Sequence, residues 1–141
     1  MVKKTFYPRI SIIENGLEKI LEVNRKLKPI GYNIFAEFYG VKVSYIPQIK
    51  PIIEKAIEKS KLNTIEKEIY HQFFPEGVTV LIPLKESHIA VHSWPEEEYL
   101  IINISACGKK AKKKAEIAYN VFKKYLSPNK IQKKVIYYGL E

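Results

Sequence analysis

Between residues 65 and 104 the chain reads as one strand after another. Ile65–Phe73 is the first. Val78–Leu84 is apolar throughout, as a buried strand can be. Pro83 near its end points to an edge or a bulge, because proline gives no N–H to a ladder. Ser87–Val91 and Tyr99–Ile104 complete the cluster. Helical patterns stand apart from it. Leu17, Ile20, Leu21 and Leu27 share one face over 15–28, ended by Pro29. Ile49, Ile52, Ile53, Ala56 and Ile57 recur at helical spacing, with Pro51 in the first turn. A third helix over 109–126 turns Ala111, Ala115, Ala118, Val121, Phe122 and Tyr125 inward and stops at Pro128. GYNIFAEFYG, residues 31–40, reads as a strand between two glycines, and Ile131–Tyr138 as a final strand. Clustered strands with a few separate helices predict an α+β two-layer sandwich. There is no internal repeat and no low-complexity segment.

Length and composition narrow this further. With 141 residues there is room for one domain, and 46% hydrophobic content predicts a folded chain. No apolar run reaches the length of a membrane span. Met1-Val2-Lys3-Lys4 opens without the apolar stretch of a secretory signal. A single cysteine makes no internal disulfide and suits a reducing cytoplasm. All acidic residues are glutamate, and only Arg9 and Arg25 are arginine, a usage that fits a thermophile or an AT-rich genome. The net charge is +9, and residues 109–141 hold ten lysines against Glu116 and Glu141. No aromatic residue interleaves the Lys109–Lys114 run as a stacking platform requires, so this is read as a solvated helix face and no nucleic acid is expected. No metal-ligand spacing is visible.

The chemistry concentrates in ESHIAVHSWPE, residues 86–96. A serine is a poor nucleophile unless a neighbour activates it, so Glu86-Ser87 alone means little. A lone histidine is more often structural, and His71 and His88 are read that way. His92 follows Ser87 by five residues. In a regular strand an odd spacing points two side chains to opposite faces, so a bend or bulge must intervene for them to meet. Cys107, the only cysteine, stands twenty residues after Ser87 and precedes Gly108; by itself it reads as a buried free thiol.

Taken together, Glu86-Ser87, His92, Trp94-Pro95-Glu96 and Cys107-Gly108 at these spacings resemble the self-cleavage site of the S-adenosylmethionine decarboxylases. The resemblance covers about residues 31–126 and is strongest over 73–108. It implies an antiparallel sheet with helices on one face. Residues 1–30 then form an N-terminal extension and 31–141 a single pyruvoyl decarboxylase domain. It further implies that the Ser87 hydroxyl attacks the Glu86 carbonyl and that the resulting ester is eliminated. The chain is thereby cut into 1–86 and 87–141, the second beginning with a pyruvoyl group.

By the same resemblance His92 is the base that removes the Ser87 α-hydrogen. Cys107 is the proton donor after decarboxylation, a task that suits a thiol. Thr79 stands where the family has a serine supporting the oxyanion of cleavage; it keeps the hydroxyl and restricts χ1. Phe73 corresponds to the aromatic that stacks on adenine and Glu96 to the carboxylate that binds ribose, with a core phenylalanine and a solvated glutamate as the plain alternatives. The implied substrate is S-adenosylmethionine, joined to the pyruvoyl carbonyl as a Schiff base and feeding spermidine synthesis. No metal or pyridoxal phosphate is required, and the assembly is a homodimer. The flanks of Cys107 depart from the family. Asn103-Ile104-Ser105-Ala106 replaces a stretch that usually holds an aspartate and a threonine, and lysines 109–114 replace an acidic or histidine-containing loop. Arginine decarboxylation and a non-catalytic paralogue that regulates an active partner therefore stand as rival readings.

Overall fold

Residues 12–13 and 28–140 are described by a computed structural model. The helix expected over 15–28 lies outside them, apart from Lys28, where a strand begins. In chain order the elements are β1 (Ile12–Ile13), β2 (Lys28–Tyr39), α1 (Ile46–Ser60), β3 (Ile69–Gln72), β4 (Val78–Leu84), β5 (Ser87–Trp94), a 3-10 turn (Pro95–Glu97), β6 (Tyr99–Cys107), α2 (Ala111–Leu126) and β7 (Lys130–Leu140). The strands form one sheet in the order β1-β7-β2-β6-β5-β4-β3. Every neighbouring pair is antiparallel, so the α+β sandwich with an antiparallel sheet is what the chain forms.

Strand alternation decides which face is covered. Tyr32, Ile34, Ala36 and Phe38 of β2, and Leu100, Ile102 and Ile104 of β6, are buried toward the helices. From α1 come Ile49, Ile53 and Ala56, and from α2 come Ala111, Ala115, Ala118 and Phe122. The small alanines let α2 approach the sheet, and Phe122 fills the space left; a side chain of that size contributes ~1.5–3 kcal/mol when fully buried.

Four details differ from the sequence reading. Tyr125 is 42% exposed, whereas Tyr119 is buried. Tyr125 sits in the last turn of α2 and meets Lys55 of α1, whose ammonium lies 4.9 Å from the ring centre. Pro51 lies inside α1, and Pro47 holds the first-turn position; Pro51 is on the exposed side, where the carbonyl it leaves without an N–H partner meets water. The first strand of the cluster shrinks to Ile69–Gln72, because Thr64 bridges Leu84 and Ile65 N–H donates to Pro83 O instead. Pro83 itself lies past the end of the β3–β4 pairing, at a local sheet edge, as its ring requires. Finally, β5 runs on through Trp94 with continuous pairing to β4 and β6.

The other face of the sheet carries no helix among the described residues. It presents Ile69, Leu81, Trp94, Ile136 and Tyr138, each 40–54% exposed. Gly31 sits on this face opposite both Cys107 and Tyr138. A Cβ there would meet the Tyr138 ring at 1.8 Å, so glycine is what lets Tyr138 lie across β2.

Candidate active site

The first cluster is built on the cross-strand pair Thr79 and His92. Partners in an antiparallel ladder share a face, and here Thr79 Oγ1 lies 3.2 Å from His92 Nδ1. The loop before β4 closes a cleft beside them. Phe73 N–H donates to Gly77 O at 2.8 Å, and Gly77 N–H to Ser44 O at 2.9 Å. The Gln72 amide donates to Ser44 O and Gly77 O, and Ser44 Oγ donates to Glu76. Ser93, buried beneath, takes the Val78 N–H and donates to Val43 O. This lattice holds Phe73 at the rim, with His71 edge-on to its ring at 4.6 Å between centroids. The cleft has a volume of about 500 Å³, and its lining includes Phe73, Phe74, Thr79, His92, Trp94 and Glu96. Phe74 and Trp94 were not singled out as site residues in the sequence. Only the fold marks Phe74, which is 91% exposed at the cleft, whereas Trp94 already stands in the Trp94-Pro95-Glu96 motif.

The second cluster surrounds the Glu86–Ser87 bond. Leu84 pairs with Ser87, leaving Lys85 and Glu86 as a two-residue turn between β4 and β5. Asn63, in the loop after α1, ties that turn down. Its carbonyl accepts the Lys85 N–H at 2.8 Å, while its own N–H and side-chain amide donate to the two Glu86 carboxylate oxygens at 3.0 and 2.8 Å. Lys114 of α2 adds an ion pair at 3.2 Å. Burial works to raise the Glu86 carboxyl, but the donors from Asn63 and Lys114 outweigh it and hold the group below its ordinary range.

Ser87 Oγ lies 3.2 Å from Nδ1 of His88, whose Nε2 is 2.8 Å from Asn103 Oδ1. Cys107 is the last residue of β6, partly buried, at the same end of the sheet as this turn because Ser105 pairs with His88. Gly108 follows at φ +97°, a left-handed conformation that swings the chain into α2, and its N–H donates to Ile30 O.

The expected bend between Ser87 and His92 is absent. Five residues of regular strand put them ~16 Å apart. The structure therefore gathers Phe73, Thr79, His92 and Glu96 at one end of the sheet and Glu86, Ser87 and Cys107 at the other. His88, His92, Thr79 and Cys107 share the open face by strand parity.

Residues 32–138 match the family model described as S-adenosylmethionine decarboxylase. An S-adenosylmethionine decarboxylase proenzyme of a Sulfurihydrogenibium species is 35% identical over 116 residues, covering 80% of this chain and 85% of that protein. The Archaeoglobus fulgidus protein of the same description is 34% identical, over 70% of this chain and 88% of its own length. The crystal structure of the adenosylmethionine decarboxylase from Aquifex aeolicus superposes with a TM-score of 0.70 at 32% identity, covering 77% of this chain and 89% of that one.

Proposed function

We propose that this chain, which belongs to the S-adenosylmethionine decarboxylase family, makes its own catalytic group by cutting the Glu86–Ser87 bond. It is a decarboxylase of S-adenosylmethionine, and polyamine synthesis is the use of such a product. The observation that carries the self-processing reading is the register of the β4–β5 hairpin. One register puts the candidate cleavage bond at a tight, tethered turn and sets the hydroxyl of Thr79 against the imidazole of His92.

Because Ser87 and His92 lie ~16 Å apart along β5, a single copy does not assemble the site. A second copy does. The open sheet face carries large, partly exposed apolar side chains that a partner would cover. A two-fold axis running across the strands, between two such faces, lays the Ser87 end of β5 over the Thr79–His92 end of β5 in the other copy. The homodimer thus completes the site, and its cleavage products 1–86 and 87–141 stay joined through the sheet.

Within that arrangement Ser87 Oγ attacks the Glu86 carbonyl, while Asn63 and Lys114 hold the Glu86 side chain and so restrict the turn. Thr79 of the second copy donates to the oxyanion and His92 of the second copy removes the Ser87 α-hydrogen. The residues fit the pyruvoyl group that results, since Ser87 is its source and Cys107 stands at the same end of the sheet. A pyruvoyl group supplies a carbonyl that condenses with a substrate amine and accepts the electrons released with carbon dioxide. Cys107 then returns a proton to the substrate carbon. Phe73, with Phe74 and Trp94 beside it, offers the apolar wall for adenine, and Glu96 the acceptor for ribose hydroxyls. Arginine would leave this wall and acceptor unused, which favours S-adenosylmethionine. A reducing cytoplasm suits the lone thiol.

A denaturing mass spectrum together with labelled carbon dioxide release tests the reading. Two fragments meeting at Glu86/Ser87, the second with a pyruvoyl terminus, and turnover of S-adenosylmethionine above arginine are expected. An intact chain after long incubation at elevated temperature overturns self-processing; faster arginine turnover overturns the specificity alone.

A further inference from the structure

His88 reads from the sequence as a structural histidine, yet its hydrogen bonds select, for the neutral ring, the tautomer that can activate Ser87. Asn103 decides which tautomer this is. Its Nδ2 lies 3.0 Å from the carbonyl oxygen of Ile34 and 2.7 Å from Asn33 Oδ1. A backbone carbonyl only accepts, so the atom facing it must be the amide nitrogen, and the orientation of the Asn103 side chain is settled. Asn103 Oδ1 therefore faces His88 Nε2, at 2.8 Å. That oxygen also only accepts, so Nε2 carries the hydrogen. In neutral imidazole the other nitrogen is then the acceptor. His88 Nδ1 thus offers a lone pair to Ser87 Oγ at 3.2 Å.

The ring is held rather than free. Asn103 stands on β6 and Asn33 on β2, neighbouring strands paired with residue 103 opposite Phe35 and residue 105 opposite Asn33. The chain Asn33–Asn103–His88 therefore crosses three strands on the open face, and His88 Nδ1 reaches from there to the neighbouring Ser87 hydroxyl beside the scissile bond. His92, ~16 Å along the strand in the same copy, cannot serve this hydroxyl from within one chain. His88 can.

We propose that His88 is the base for the first step of self-cleavage, with Asn103 as its positioning residue; this deepens the self-processing reading and rests on it. Nδ1 takes the proton from Ser87 Oγ as that oxygen bonds to the Glu86 carbonyl carbon. As the C–N bond to Ser87 breaks, the same proton passes from Nδ1 to the departing amide nitrogen. The peptide has become an ester, and nothing has been consumed. His88 acts before the ester forms, and His92 acts after it, when the Ser87 α-hydrogen is removed and the Oγ–Cβ bond breaks.

The two roles are separable chemically, because hydroxylamine at neutral pH cuts esters readily and amides hardly at all; only a cut at Glu86/Ser87 counts, since alkaline hydroxylamine also splits Asn15-Gly16. Wild type, His88→Gln, His88→Ala, Asn103→Ala and His92→Ala are made by in vitro translation, so that processing starts at a known time. Each is followed by intact mass with and without hydroxylamine. Both His88 variants are expected to process at least ~10²-fold more slowly than wild type, the usual worth of a general base, and their uncut chains should resist hydroxylamine. The uncut His92→Ala chains should instead be split by it. Asn103→Ala should be slowed and equally hydroxylamine-resistant, with the pH dependence of its processing rate displaced from that of wild type, a displacement that a merely structural role does not produce. His88 is exposed, so loss of folding is not expected on its replacement; circular dichroism of His88→Gln checks this. Folded His88 variants that process within ~3-fold of wild type, or that accumulate a hydroxylamine-sensitive ester, overturn the role of His88 and leave self-processing standing. A wild type that never cuts at Glu86/Ser87 removes the self-processing reading itself.

Discussion

If each site takes Ser87 from one copy and His92 from the other, two inactive variants should rescue one another in a predictable ratio. Ser87→Ala lacks the nucleophile, and His92→Ala lacks the base. Each alone forms dimers with both sites disabled. Folded together in equal amounts, half of the dimers pair one of each. In such a dimer one site combines both replacements, and the other combines an intact Ser87 with an intact His92. About a quarter of all sites are therefore complete in a closed two-fold dimer. Only the His92→Ala chain carries Ser87, so about half of the His92→Ala chains should be cut, and none of the Ser87→Ala chains. Tags of different mass on the two chains let one denaturing gel or mass spectrum read both fractions. The magnitude follows from the ~16 Å of regular strand between Ser87 and His92, too far for one copy to use both. No cleavage in the mixture refutes the shared site. So does equal cleavage of the His92→Ala chain with and without its partner.

Cys107→Ala should still cut itself, because cleavage draws on Ser87 and the two histidines; its decarboxylation rate should fall ~10²–10⁴-fold, and near wild-type turnover would remove Cys107 from the mechanism. Leu81→Arg places a charge on the open sheet face, where burial of an unpaired charge costs ~3–5 kcal/mol; sedimentation should show the dimer weakened by at least ~100-fold, and an unchanged dimer argues against that face as the interface. Glu86 has a depressed carboxyl in the fold, so what its charge contributes is present above the unfolded value near ~4.3 and is lost as pH falls through the folded value. In a Ser87→Ala background, which stays uncut, Glu86→Gln should therefore lower the melting temperature more at pH 7 than in acid, the difference shrinking as pH falls; an equal effect at both ends contradicts this.

The periodicities of the chain determined its elements and much of its layering. Apolar runs marked β4, β5 and β6, and the spacing of Ala111, Ala115, Ala118 and Phe122 marked the inward stripe of α2. Such signals are local, because a strand repeats every two residues and a helix about every 3.6. The odd spacing of Ser87 and His92 already put them on opposite sides of a regular strand, and the structure keeps the strand regular. The composition of the site was legible through its resemblance to a family, residue by residue. What lay beyond the sequence was proximity. Glu86 meets Asn63 and Lys114 across 23 and 28 residues of chain, and His88 meets Asn103 across 15. These contacts depend on which strands pair and in what register, and one residue of slippage would send Asn103 to the other face. Only the assembled sheet decided that register. Long-range pairing sets which side chains are neighbours, and local pattern constrains only the face that each one occupies.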